Sequence, residues 1–276
     1  MRISGVSGLW AWTRLERVNR SLMNVMEQLS TAKRIPRSSF DAAGMAIANK
    51  LRAQIEGLSR ALDNAAYGMN LLNTAEGGME SIQQNLQRMR ELAIQASNGT
   101  LTESERAALQ EEFNQLRQQI AQTARNTNYN GQVVLQGYNA QIQTGPNEGE
   151  TMNVNIPAMN PENLQATTEE GTVNLNDLNI QTQEGAQRAV KALEDMINQV
   201  SEARSNVGAY VNRLSSSIRN TANAMVNATS SLGRIEDMDM ARGVLMRTRL
   251  MLLRNFTTGV LSQSMLNMRN VMNLLG

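Results

Sequence analysis

Cysteine and histidine are both absent from the 276 residues. Their absence excludes zinc sites of the usual kind, thiol nucleophiles and imidazole general bases, and leaves no disulfide from which to read a redox compartment. Aromatic residues are 3% of the chain against a hydrophobic fraction of 41%. A core built on large rings is therefore excluded. Leu, Ile, Val, Ala and 18 Met take that role, a set suited to thin seams between helices. Four prolines occur, three of them between 146 and 161, so long stretches are free to be helix. No run approaches the ~18 apolar residues of a membrane span, so membrane insertion is not expected. The first thirty residues show neither the apolar core nor the cleavage site of a secretory leader. No phosphate-binding loop is present. Catalysis, cofactors and metals are therefore not expected.

What the chain does have is apolar periodicity. Leu15, Val18, Leu22, Val25 and Leu29 step by threes and fours, as do Ile197, Val200, Val207, Val211, Leu214, Ile218, Met225, Leu232 and Ile235 when steps of seven are included. Leu261, Met265, Met268, Met272 and Leu275 continue the pattern at the far end. Such spacing keeps a narrow stripe on one side of a helix, and the stripe needs another helix to cover it. The opposite end of the same chain, or a second copy, is the expected partner. Charge is uneven. Residues 1–37 carry seven Lys/Arg against two acids, residues 240–276 carry five Arg and no acid, and the formal net charge is +1. Solvated helix faces account for this, and a polyanion or membrane-surface contact is the sharper reading.

Element signals divide the chain. A first helix is expected over about 5–32, stopping before Pro36. Asp41 is placed to cap a second helix, which runs to the Asn98-Gly99 turn. Gly57, Gly68, Gly77 and Gly78 inside it signal close packing or slight bends. Thr102 and Glu105 are spaced as a capping box for a third helix, which ends near Asn130-Gly131. Short strands are expected at 133–135, 140–144 and 152–156, the last from the alternation of Met152, Val154 and Ile156. Helices follow over about 184–233 and 238–275. The fold class is mainly α: a long antiparallel helical hairpin or coiled coil, with terminal helices as an inner layer and a small β-hairpin region at the tip. Residues 1–40 and 238–276 are expected to form the terminal coiled-coil domain. Residues 41–131 and 184–237 form a helical bundle, and 132–183 the tip.

Several of these segments resemble one family. Ala32-Lys33-Arg34-Ile35-Pro36-Arg37, Asp41-Ala42-Ala43-Gly44-Met45-Ala46-Ile47-Ala48-Asn49 and Leu71-Leu72-Asn73-Thr74-Ala75-Glu76-Gly77 are similar to the amino-terminal region of bacterial flagellin. Ala203-Arg204-Ser205-Asn206-Val207-Gly208-Ala209-Tyr210 and Arg234-Ile235-Glu236-Asp237-Met238-Asp239-Met240-Ala241 are similar to its carboxyl-terminal region. The ends depart from the family pattern, with Trp10 and Trp12 in the first helix and an Arg- and Met-rich last helix. The departure leaves a specialised filament protein and a hook-filament junction protein both open, beside a flagellin-like adhesin or polyanion binder.

The resemblance implies a structural subunit that polymerises into the flagellar filament and is exported through the flagellum without a cleaved leader. Implied partners are further copies of the chain, an export chaperone, and hook-associated and cap proteins, with no nucleic acid. The two apolar end stripes become the inner-tube seam, and Arg14, Arg17, Arg247, Arg249 and Arg254 become candidates for a basic lumen. Arg88, Leu92 and Glu112 match positions that serve protofilament packing or recognition by an innate immune receptor.

Overall fold

In a computed structural model the chain is described over residues 2–168 and 171–275; the side chains of 2–7, 168, 268, 271, 272, 274 and 275 lie outside that description. Five helices dominate: α1 (Arg2–Thr31), α2 (Ala42–Ala96), α3 (Glu103–Asn126), α4 (Gln183–Glu236) and α5 (Met240–Leu275). Between α3 and α4 lie six short strands, β1 (Asn128–Tyr129), β2 (Gln132–Val133), β3 (Gln136–Gln143), β4 (Thr151–Ala158), β5 (Gln165–Thr168) and β6 (Gly171–Asn174), then one 3-10 turn at Leu175–Asp177. The strands pair as three antiparallel hairpins, β1–β2, β3–β4 and β5–β6. The chain forms two compact units, Met1–Ile55 with Val226–Gly276, and Glu56–Met225.

The larger unit is held by one apolar cluster. On α2 it takes Leu72, Ala75, Met79, Ile82, Leu86 and Met89, all fully buried. Phe113 and Ile120 of α3 and Leu193, Met196, Val200 and Val207 of α4 close over them. The polar contacts give the direction of packing. Arg204 binds Glu76 and Gln83, and Arg90 reaches Glu194 at 3.6 Å, so α4 runs antiparallel to α2. At 55 residues α2 extends about 80 Å at ~1.5 Å per residue. Thr102 caps α3 as its spacing predicts, accepting from Glu105 N–H at 3.3 Å while Glu105 accepts from Thr102 N–H at 2.8 Å. The Thr102 N–H above all, then the Thr102 hydroxyl donating to the same carboxylate at 2.8 Å, holds the Glu105 carboxyl below its ordinary value.

The strand region belongs to the same cluster. Met152, Val154 and Ile156 alternate inward as expected, and Leu135 and Met159 are fully buried beside them. Gly68 on α2 makes this possible: a Cβ there would stand 2.4 Å from Ile142 Cδ1 of β3. Differences from the sequence expectation are local. The segment expected as strand 133–135 is strand only at Val133, because Val134 and Leu135 turn into the core. The hairpin β1–β2 lies where only a turn was expected. Asn130 and Gly131 adopt φ of 51° and 79°, the left-handed pair that a two-residue hairpin loop requires. The β5–β6 hairpin gave no signal, since Ala166 is the only apolar residue of β5 and Val173 that of β6.

In the smaller unit, Asp41 caps α2 by accepting from Gly44 N–H at 2.8 Å, as its position suggested. Packing of α1 on α5 is antiparallel: a Cβ on Gly8 would meet Ser264, and one on Gly243 would meet Leu29.

Candidate functional site

The α1–α5 pair covers one apolar stripe and, among the described residues, leaves other large apolar side chains uncovered. The covered face of α1 is a continuous heptad stripe. Ala11, Val18, Leu22 and Val25 are buried, and Leu15 and Leu29 are half-buried between and beyond them. Its counterpart on α5 steps by sevens through Gly243, Leu250, Thr257 and Ser264, with Thr257 buried and Leu261 half-buried alongside. Small and hydroxyl-bearing residues on this side let the two backbones approach. Thr257 satisfies its hydroxyl internally, donating to Leu253 O at 2.8 Å. Met265, expected in the inner-tube assembly seam, is 60% exposed and stands outside the contact of α5 with α1. A count of apolar residues alone favoured Met265 because Thr257 and Ser264 are polar. Met268, Met272 and Leu275 lie outside the described side chains.

The uncovered face carries the large side chains. On α5, Leu245, Leu252 and Phe256 are 72%, 66% and 71% exposed, spaced seven and four apart on one stripe. On α1, Trp10, Trp12 and Met23 are exposed. Beyond α1 and α5, the large apolar side chains exposed among the described residues are Ile47, Tyr67, Ile94 and Val226. Scattered exposed apolar residues are ordinary, but a stripe such as Leu245, Leu252 and Phe256 on one helix marks an interaction surface.

The basic candidates stand on the same helices. Arg14, Arg17, Arg249 and Arg254 are exposed, Arg247 is half-buried, and none has an ion pair among the described residues. The Arg247 Nε is enclosed without a hydrogen-bond partner there. In the larger unit, Arg88 donates to Glu112 at 2.9 Å and to Glu91 at 3.0 Å. Glu112 above all, then Glu91, raises the Arg88 pKa. Leu92, one turn on, is 1% exposed and packs into the core. The structure thus brings Arg88 and Glu112 together at the surface and places Leu92 beneath it.

One arrangement had no sequence signal. Glu236, at the end of α4, is 4% exposed and holds both Lys33 and Arg52 on the same carboxylate oxygen, Lys33 at 2.5 Å. Arg52 above all, and Lys33 after it, keeps the Glu236 carboxyl below its ordinary value, against the opposing pull of desolvation. Backbone bonds add to this tie: Arg34 N–H donates to Glu236 O at 2.6 Å, and Met238 N–H donates to Ala32 O at 3.0 Å. The segment after α1 is thereby fastened to the end of α4. Three charges so far apart in sequence leave no spacing to read.

Known proteins share this sequence pattern. Residues 6–140 match the bacterial flagellin N-terminal helical region, and residues 190–275 match the bacterial flagellin C-terminal helical region. A flagellin of Halalkalibacterium halodurans is 37% identical over 252 residues, covering 91% of this chain and 90% of its own. A flagellin of Bacillus subtilis is 32% identical over 303 aligned residues, covering 100% of both chains. A solved structure from Vibrio parahaemolyticus described as a putative flagellar hook-associated protein shares the fold, with a TM-score of 0.60 at 15% identity over 72% of this chain and all of its own. Both terminal regions and the relatives agree, and the chain belongs to the flagellin family, the structural subunits of the bacterial flagellar filament.

Proposed function

We propose that this flagellin polymerises through the uncovered apolar face of its α1–α5 pair. The carrying observation is the exposed row Leu245, Leu252 and Phe256 on α5, joined by Trp12 and Met23 exposed on one side of α1 and Trp10 on the other. Each such side chain gains about 1.5–3 kcal/mol when removed from water. A row of them costs the isolated subunit solubility and rewards the assembled one. The surface on one copy need not match itself, so successive contacts extend a helical tube. The terminal segments 1–40 and 238–276 form the inner layer in this reading. Residues 41–131 and 184–237 form the surrounding bundle, and 132–183 lies outermost. The cationic groups Arg14, Arg17, Arg247, Arg249 and Arg254 line the lumen or meet acids of neighbouring copies. Arg88 and Glu112, paired at the surface, serve lateral contacts in this reading.

The role is structural, without catalysis. Export through the flagellum, with a chaperone before assembly and hook-associated and cap proteins at the filament ends, completes the reading by family likeness. The terminal helices depend on assembly for their order, because isolated helices are marginal in water. Trypsin tests this. The unassembled chain is expected to be cut first at Arg14, Arg17, Arg247 and Arg249, and the polymer to resist there. A chain that resists equally in both states refutes the role given to these helices.

A further inference from the structure

The sequence has four tyrosines. Three of them, Tyr67, Tyr129 and Tyr138, meet around one cleft of about 360 Å³ in the larger unit. They arrive from three segments, α2, β1 and β3. Leu71 and Val154, both buried, form the floor together with Ile142. That floor exists because Gly68 lets Ile142 lie against α2. Among the described residues no charged side chain lines the cleft. Its polar groups are side-chain amides and phenols.

Most of those groups are unengaged. The Tyr138 hydroxyl donates to Gln132 Oε1 at 2.7 Å. The hydroxyls of Tyr67 and Tyr129, and the side-chain amides of Asn64, Asn130 and Gln141, have no hydrogen-bond partner among the described residues. Tyr67 is 62% exposed. A filament contact through apolar side chains leaves these amides unexplained, and core packing leaves Tyr67 unexplained.

We propose that this cleft binds a neutral oligosaccharide. A pyranose ring offers an apolar C–H face to stack on tyrosine and hydroxyls around its edge. A primary amide presents two donors and an acceptor, and each sugar hydroxyl both donates and accepts, so adjacent hydroxyls satisfy an amide fully. Anionic ligands find no cation here. A proline-rich chain suits the rings but lacks backbone N–H donors, and so strands the amide carbonyls at a cost. The cleft volume falls within the range of about 300–1,000 Å³ typical of small-ligand sites.

The test uses the full-length soluble chain. Saturation-transfer NMR and calorimetry are run with cellotetraose and triacetylchitotriose, and with a heparin tetrasaccharide and a proline-rich decapeptide for comparison. A neutral saccharide is expected to bind, and Tyr67→Ala to weaken it about tenfold by removing one stacking face. Tyr67→Phe keeps the face and is expected to retain most of the affinity. If Tyr67→Ala lowers the melting temperature, Asn64→Asp leaves all three rings in place and must weaken binding by itself. The proposal is overturned if neither neutral saccharide binds. It is equally overturned if Tyr67→Ala and Asn64→Asp both bind like the parent, or if the heparin fragment or the peptide is preferred. The readout is on the unassembled chain, so a failure to polymerise does not bear on it.

Discussion

At the scale of single residues, the Glu236 carboxylate carries the most consequence. Two cations share it inside a nearly buried site. Glu236→Gln removes the charge that both face and is expected to destabilise the chain by about 1–2 kcal/mol in a denaturant titration. The figure sits at the low end because Lys33 and Arg52 are each nearly half exposed and regain water. Its pH signature follows from the direction of the shift. The folded carboxyl titrates below its ordinary value of 4.5, so its contribution is fully present above that pH. It is lost as pH falls through the lower folded value. Melting curves of parent and Glu236→Gln should therefore converge as pH drops below about 4.5. A gap that does not narrow as pH falls below 4.5 would argue against the ion-paired account. Ala32 offers a second residue-scale check. It closes α1 with φ of 55°, a left-handed position that favours glycine. Ala32→Gly is expected to raise stability by about 0.5–1 kcal/mol, read as an increase in melting temperature.

At the scale of elements, the close contact of α2 with the β3–β4 hairpin is the point most sensitive to substitution. Gly68→Val drives a branched side chain into Ile142 and is expected to cost about 1–3 kcal/mol. Gly77→Ala, where a Cβ meets nothing within 4 Å, is expected to be neutral or slightly stabilising. Comparing the two by thermal melting separates packing from helix propensity. The elements also show what the sequence makes legible. The α1 stripe from Leu15 to Leu29 was readable because every seam position is apolar. The α5 seam was not, because Gly243, Thr257 and Ser264 sit in it while Met265 faces solvent. Periodicity in hydrophobicity finds a seam only when close approach is not achieved with small residues. Both helix starts at Asp41 and Thr102 were readable because capping is local chemistry. The β5–β6 hairpin was not, since its pairing is mostly backbone and its side chains are mostly polar.

At the scale of the molecule, the terminal helices were legible as seams seeking cover, whereas the uncovered second face emerged only once α1 and α5 were paired. Sequence periodicity shows where apolar residues recur; structure shows which of them remain in water. Leu252 and Phe256 stand outside the α1 seam and take no part in the chain's own core. Replacing them should spare the fold and harm assembly. The direct test is seeded elongation of the purified chain, followed by light scattering and electron microscopy, with Leu252→Gln/Phe256→Gln run beside the parent. The parent is expected to grow long helical filaments. The double variant should melt within about 1 kcal/mol of the parent, as surface substitutions do. It should nonetheless need at least about tenfold more protein to elongate, because each subunit then buries less apolar surface on joining the filament. A parent that stays monomeric on its own seeds, or a variant that elongates as readily, contradicts the account.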